Sequence, residues 1–130
     1  MKAGFKIPSA FFPKPLSANT RRWLEAYSAG SKKPCPWEWL DIQTGTLFEQ
    51  HVWKILWSIP FGETESYGWV TKKLGIPKGG AQAVGQANKK NPFPVIIPCH
   101  RVIASDGSIG GYAYGFQIKK RLLKHEGICL

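Results

Sequence analysis

The residues of this chain with the most chemical potential stand side by side. Cys99, His100 and Arg101 close the run N-P-F-P-V-I-I-P-C-H-R-V over 91–102, where an apolar, proline-punctuated stretch delivers a thiol beside an imidazole and a guanidinium. A free thiol of ordinary pKa, about 8.5, is only a few per cent thiolate at neutral pH, so a nucleophilic cysteine needs a base or nearby positive charge. Adjacent side chains rarely face each other. His100 therefore reaches Cys99 only across a sharp bend or through a bridging water. An imidazole that takes up a proton is steadied by a carboxylate, and Glu126, one of only eight acids, is the candidate partner. The bland alternative is a buried, inert thiol, the usual fate of a cysteine that follows an Ile-Ile-Pro run.

Cys35 and Cys129 complete a set of three, with no CxxC spacing. They support neither a disulfide framework nor a zinc site, and no metal or cofactor is expected. Lysine and arginine total 18 against the eight acids, a net charge of +10 on 130 residues. That balance predicts an anionic partner, nucleic acid first. No apolar stretch approaches a membrane span, and the N-terminus lacks the apolar core of a signal peptide. A soluble monomer in a reducing compartment is expected, cytoplasmic and nucleoid-associated, or nuclear in a eukaryote.

The elements that must position these groups follow from punctuation and periodicity. Prolines 8, 13 and 15 make residues 1–17 an irregular leader. A short helix over 17–30 and a loop through S-K-K-P-C-P form a second segment, 18–45. The main domain, 46–130, opens with T-L-F-E, a capping-box pattern that starts a helix with Phe48, Val52, Ile55 and Ile59 on one face. Two short helices, about 66–74 and 80–89, are joined by G-I-P-K-G as a helix-turn-helix. The second, G-A-Q-A-V-G-Q-A-N-K-K, carries small and polar side chains that permit close approach to another surface. Val95-Ile96-Ile97 reads as a short strand or a rigid rod, Asp106-Gly107 as a turn and Gly110–Gly115 as a glycine–tyrosine loop. A closing helix has Phe116, Ile118, Leu122 and Leu123 as its apolar side and Gly127 as its stop. The fold class is mainly α with a small β element, a winged helix-turn-helix-like DNA-binding domain.

I-P-C-H-R-V, preceded by N-P and followed by a glycine–tyrosine loop and L-L-K-H-E-G, closely resembles the alkylguanine-DNA alkyltransferases. L-D-I-Q-T-G-T-L-F-E-Q-H-V-W, F-G-E-T-E-S-Y and A-V-G-Q-A-N-K-K-N-P extend the resemblance to about residues 20–128. It implies transfer of an alkyl group from a damaged guanine, flipped out of duplex DNA bound by its minor groove, onto Cys99 in a single turnover. On that likeness His100 deprotonates Cys99 through water, Glu126 orients the imidazole, Asn91 holds the turn before the active-site segment, and Tyr67 donates to the guanine. Tyr112, Ala113 and Tyr114 wall the pocket, and the Val102 carbonyl reads the base. Ala81, Gln82, Gly85, Lys89, Lys90 and Arg101 contact DNA. Without the likeness, Tyr67 reads as a core aromatic.

The sequence departs from the family pattern in two ways. The usual N-terminal domain is expected to be missing except for its last helix, with Phe11, Phe12, Trp23, Trp37 and Trp39 as candidates to cover the exposed face. Gln82 also stands where the family has an intercalating arginine. An alternative reading is a non-enzymatic sensor of alkylated DNA, against which the cysteine argues; a plain winged-helix binder leaves Cys99, His100, Glu126 and Tyr67 without a purpose. Gln82→Arg is expected to tighten DNA binding or speed repair relative to the parent, as measured by side-by-side titration and single-turnover kinetics; equality in both overturns the assignment of Gln82.

Overall fold

A computed structural model describes Ile7, Phe11, Phe12, residues 15–77 and residues 80–130. Most of the expected leader therefore lies outside the described residues. Five α-helices are found among those described: α1 (Ala18–Ser28), α2 (Leu47–Trp57), α3 (Tyr67–Leu74), α4 (Ala81–Lys89) and α5 (Phe116–His125). Two two-residue strands, β1 (Glu65–Ser66) and β2 (Val102–Ile103), pair in parallel with Glu65 opposite Val102 and Ser66 opposite Ile103. The mainly helical class with a small β element is what the sequence implied.

Helix α2 is the platform. Its start is the capping box read from the sequence: Glu49 N–H donates to the Thr46 hydroxyl at 3.1 Å, and Thr46 N–H to the Glu49 carboxylate at 2.9 Å. These bonds satisfy two of the backbone donors that a helix N-terminus leaves free. Val52, Trp53 and Leu56 are buried on its inner face, with Ile59 just beyond its end. Helices α3 and α4 and the Cys99 segment all pack against α2. The Trp53 indole N–H donates to the Ala87 carbonyl at 2.9 Å, tying the platform to α4. Gly75, at φ 70°, closes α3 in the left-handed conformation and turns the chain toward α4.

Two local expectations change. Val95-Ile96-Ile97 is neither strand nor rod: only an isolated bridge, Pro94 to Ile97, forms there, and Val95 sits at φ 73°. A β-branched residue is strained at that angle. It is held because Phe93 and Ile97 close a turn at 2.8 Å while the Asn91 side chain spans it, donating to the Ile97 carbonyl at 2.8 Å and accepting from Phe93 N–H at 2.9 Å. Phe116, expected on the buried side of α5, is 56% exposed; Ile118, Leu122 and Leu123 carry the apolar face with the buried stem of Lys119.

Of the aromatics proposed to cover the core, Phe11 is buried within it, and Phe12, Trp23 and Trp37 pack against it, while Trp39 is exposed. Thr46→Ala should cost about 1 kcal/mol by losing the cap. Urea unfolding monitored by tryptophan fluorescence would read this as a lower midpoint with an unchanged slope.

Candidate functional site

The site is built around one buried carboxylate. Glu126, at the C-cap of α5, has a fully buried side chain. It accepts from His100 Nε2 at 2.7 Å, from Arg101 Nε and Nη2 at 2.8 and 3.0 Å, from the Tyr27 hydroxyl at 2.7 Å and from Gly62 N–H at 3.1 Å. Burial by itself would raise the Glu126 carboxyl, but the hydrogen bonds from His100 and Arg101 and the positive charge of Arg101 outweigh it and hold the group well below the usual carboxylate range. An ionised carboxylate only accepts, so the His100 proton lies on Nε2. Burial lowers the His100 pKa, and the pull of Glu126 offsets this only in part. The imidazole is thus neutral, and its Nδ1, buried and without a hydrogen-bond partner, is a bare base.

Cys99 opens a 3-10 turn, Cys99–Arg101, and is 7% exposed at the wall of a cavity of about 300 Å³. That volume lies at the small end of ligand pockets. Burial raises the thiol pKa; the Asn91 side chain and the charge of Lys119 work against it without reversing it. The sulfur is therefore a neutral thiol at rest. Charge must form as a proton leaves, which suits a nucleophile shielded from water until its electrophile arrives.

The same cavity is lined by Tyr67, Gly85, Asn88, Lys89, Asn91, Tyr112, Ala113 and Tyr114. Residues from α3, α4, the Asn91 turn and the glycine–tyrosine loop thus converge on Cys99. Tyr67 opens α3, behind the Ser66 cap whose hydroxyl accepts from Trp69 N–H at 3.0 Å. Burial keeps the Tyr67 phenol protonated at neutral pH, against the opposing effect of a hydrogen bond to the Asn88 side chain. The Tyr112 hydroxyl is buried and without a hydrogen-bond partner. Ala81 and Gln82, exposed in the first turn of α4, share that helix with Gly85 and Lys89. Lys90 is exposed too but leans on Glu49 of α2 at 3.5 Å.

Arg101 is a correction. Expected to contact DNA, it is turned inward: it forks onto Glu126 and donates through Nη1 to the Ile59 carbonyl at 2.6 Å. A guanidinium satisfies a buried carboxylate far better than it would lie idle beside one. Val102 is buried, and its carbonyl already accepts from Lys119 Nζ at 2.6 Å, which leaves a single lone pair for a ligand.

Three contributors escaped the sequence reading. Lys119 is completely buried, bonded also to the Gly111 carbonyl at 3.0 Å, and its pKa is lowered by burial to about 8, with Cys99 acting in the opposite sense. Tyr27 reaches Glu126 from α1, and Asn88 of α4 lines the Cys99 cavity beside Tyr67. A lysine inside the amphipathic pattern of α5 was the one available signal; the other two rest on contacts distant in the chain.

Known proteins resemble this chain closely. The family model described as 6-O-methylguanine DNA methyltransferase, DNA binding domain, matches residues 47–128. A methylated-DNA–protein-cysteine methyltransferase of Methanosarcina acetivorans is 48% identical over 111 residues, which are 83% of this chain and 67% of that one. Its counterpart in Mycobacterium bovis is 48% identical over 103 residues, 79% of this chain and 61% of the relative. Among solved structures, Mycobacterium tuberculosis OGT in complex with DNA aligns with a TM-score of 0.77 at 45% identity, covering 85% of this chain and 65% of that chain. S. pombe Atl1, in complex with damaged DNA containing O6-carboxymethylguanine, aligns at 0.54 and 32% identity, covering 68% of this chain and 81% of that one. The chain thus spans about two thirds of the length of the methyltransferases it matches.

Removing Arg101 strands a buried carboxylate. Arg101→Met should lower stability by about 3 kcal/mol, read by chemical denaturation. The slope of DNA affinity against salt should not change, because no phosphate contact is lost.

Proposed function

Because this chain belongs to the 6-O-methylguanine DNA methyltransferase family, we propose that it repairs DNA by moving an alkyl group from the O6 of guanine onto Cys99. The observation that carries this reading is the thiol at the wall of a cavity, next in sequence to an imidazole whose outer nitrogen is bare and whose inner nitrogen is bonded to Glu126.

The step balances without a cofactor. The Cys99 proton passes to His100 Nδ1 through water, and the imidazolium that forms is matched by the ionised Glu126. Sulfur attacks the alkyl carbon, an S–C bond forms and the O6–C bond breaks. The guanine leaves with growing negative charge, which the neutral Tyr67 hydroxyl meets by donating a hydrogen bond, and the base is then made neutral by a proton that the imidazolium gives back through water. The product is a thioether that no group in the site reverses, so one molecule acts once.

An alkyl group stacked in a duplex lies beyond reach of a buried thiol, so the nucleotide must be flipped out at a cost of a few kcal/mol. Helix α4, with Ala81, Gln82 and Gly85, suits close approach in the minor groove, with Lys89 and Lys72 at phosphates. The net charge of +10 supplies sequence-independent affinity. The protein acts as a monomer on double-stranded DNA. No helix among the described residues is long and apolar enough to cross a membrane, and the site of action is where the DNA is.

The deciding experiment incubates the protein with a duplex carrying one O6-methylguanine and weighs it intact. Gain of one methyl group, mapped to Cys99 and lost in Cys99→Ala, is the expected result; lesion-selective binding without gain would make the protein a sensor. His100→Ala should slow transfer by on the order of 10²-fold or more. Because the folded His100 pKa lies below its ordinary 6.5, the imidazole stays a neutral base on acidification. The single-turnover rate should hold level as pH falls through 6.5 and decline only below it.

A further inference from the structure

Phe11 lies well ahead of α1 in the chain, yet it is 2% exposed. Its ring stacks on Tyr114, with centroids 4.1 Å apart and planes 26° from parallel. Phe12 meets Phe11 edge-on at 6.3 Å, and Tyr112 meets Tyr114 edge-on at 5.7 Å. A row of four rings thus runs from the N-terminal segment to the wall of the Cys99 cavity.

Tyr114 and Asn91 line two cavities at once. One holds Cys99. The other, of about 460 Å³, is walled by Phe11, Phe12, Pro15, Leu16 and Phe93. The Asn91 side chain is fixed by two hydrogen bonds within its turn. Tyr114 has no such anchor in its own loop. Gly110 and Gly115 flank it at φ 73° and 95°, and α5 begins at Gly115 without a side-chain cap. The loop backbone is held by Gly115 N–H donating to the Tyr112 carbonyl at 3.0 Å and by Lys119 on the Gly111 carbonyl, but neither bond reaches the Tyr114 side chain. The position of the Tyr114 ring is therefore set by what stacks on it.

We propose that Phe11 is a positioning residue for alkyl selectivity: by stacking on Tyr114 it keeps closed the partition between the Cys99 cavity and the neighbouring one. The inference rests on the alkyl-transfer reading. A methyl group needs no room beyond the sulfur. A benzyl group does, and the nearest room lies behind Tyr114. Without the Phe11 ring, Tyr114 turns into the adjoining space and bulky groups are admitted.

The test compares single-turnover transfer from O6-methylguanine and O6-benzylguanine in the same duplex for the parent, Phe11→Ala and Phe11→Tyr, together with hydrogen exchange of loop 108–116 read by mass spectrometry. Phe11→Ala should raise the benzyl-over-methyl rate ratio on the order of tenfold and speed exchange in the loop, while Phe11→Tyr, which keeps the stack, retains the parent ratio. An unchanged ratio in Phe11→Ala overturns the proposal even if both rates fall, because a merely structural role slows both donors alike. Failure of the alkyl-transfer reading has a different signature: the parent gains no mass from either donor. Loop exchange then decides whether Phe11 holds Tyr114, and equal exchange in parent and Phe11→Ala overturns that as well.

Discussion

The architecture turns on the ionised Glu126 carboxylate held out of water. Its five donors come from three separate places, Tyr27 of α1, Gly62 after α2, and His100 and Arg101 of the 3-10 turn, and Glu126 itself ends a fourth segment, α5. A buried charge of this kind is tolerable only when it is fully paired and hydrogen-bonded. The geometry of all four segments is therefore coupled, and the imidazole inherits it. With Nε2 committed to the carboxylate, Nδ1 has one orientation and is unprotonated at rest.

That constraint explains why a basic protein can hold its nucleophile as a neutral thiol. The Arg101 guanidinium next in the chain is spent on Glu126, and Lys119 spends its donors on two backbone carbonyls. Burial then prevails over positive charge at Cys99. A thiol held this way is shielded from solvent oxidants and from adventitious alkylation, and it becomes a nucleophile only as its proton moves to His100. In the proposed transfer the group is used once, and restraint at rest then matters as much as reactivity.

The turn that carries Cys99 is a second expression of the same economy. Val95 accepts a left-handed backbone because the Asn91 side chain staples Phe93 to Ile97 across it. Strain of this kind persists where the surroundings over-determine the conformation, and it concentrates at functional sites. The compact turn brings the end of α4 to the cavity of the thiol, so that Gly85, Asn88 and Lys89 of that helix line the same space as Cys99.

Much of this was legible in the chain itself. The capping box at Thr46, the paired short helices and the stop at Gly75 are written in local patterns, because caps and apolar periodicity act within a few residues. Cys99, His100 and Glu126 stood out by their own chemistry, whereas Asn91 and Tyr67 were singled out only because their motifs resemble those of the alkylguanine-DNA alkyltransferases. What the chain alone could not decide depends on who meets whom across long separations. The inward turn of Arg101, the arrival of Tyr27 from 99 residues away, the neutral state of the thiol and the Phe11–Tyr114 stack all follow from burial and pairing. Those quantities exist only once the chain has closed on itself, since a charge, a proton affinity or a ring stack takes its value from the dielectric and the partners that packing places around it.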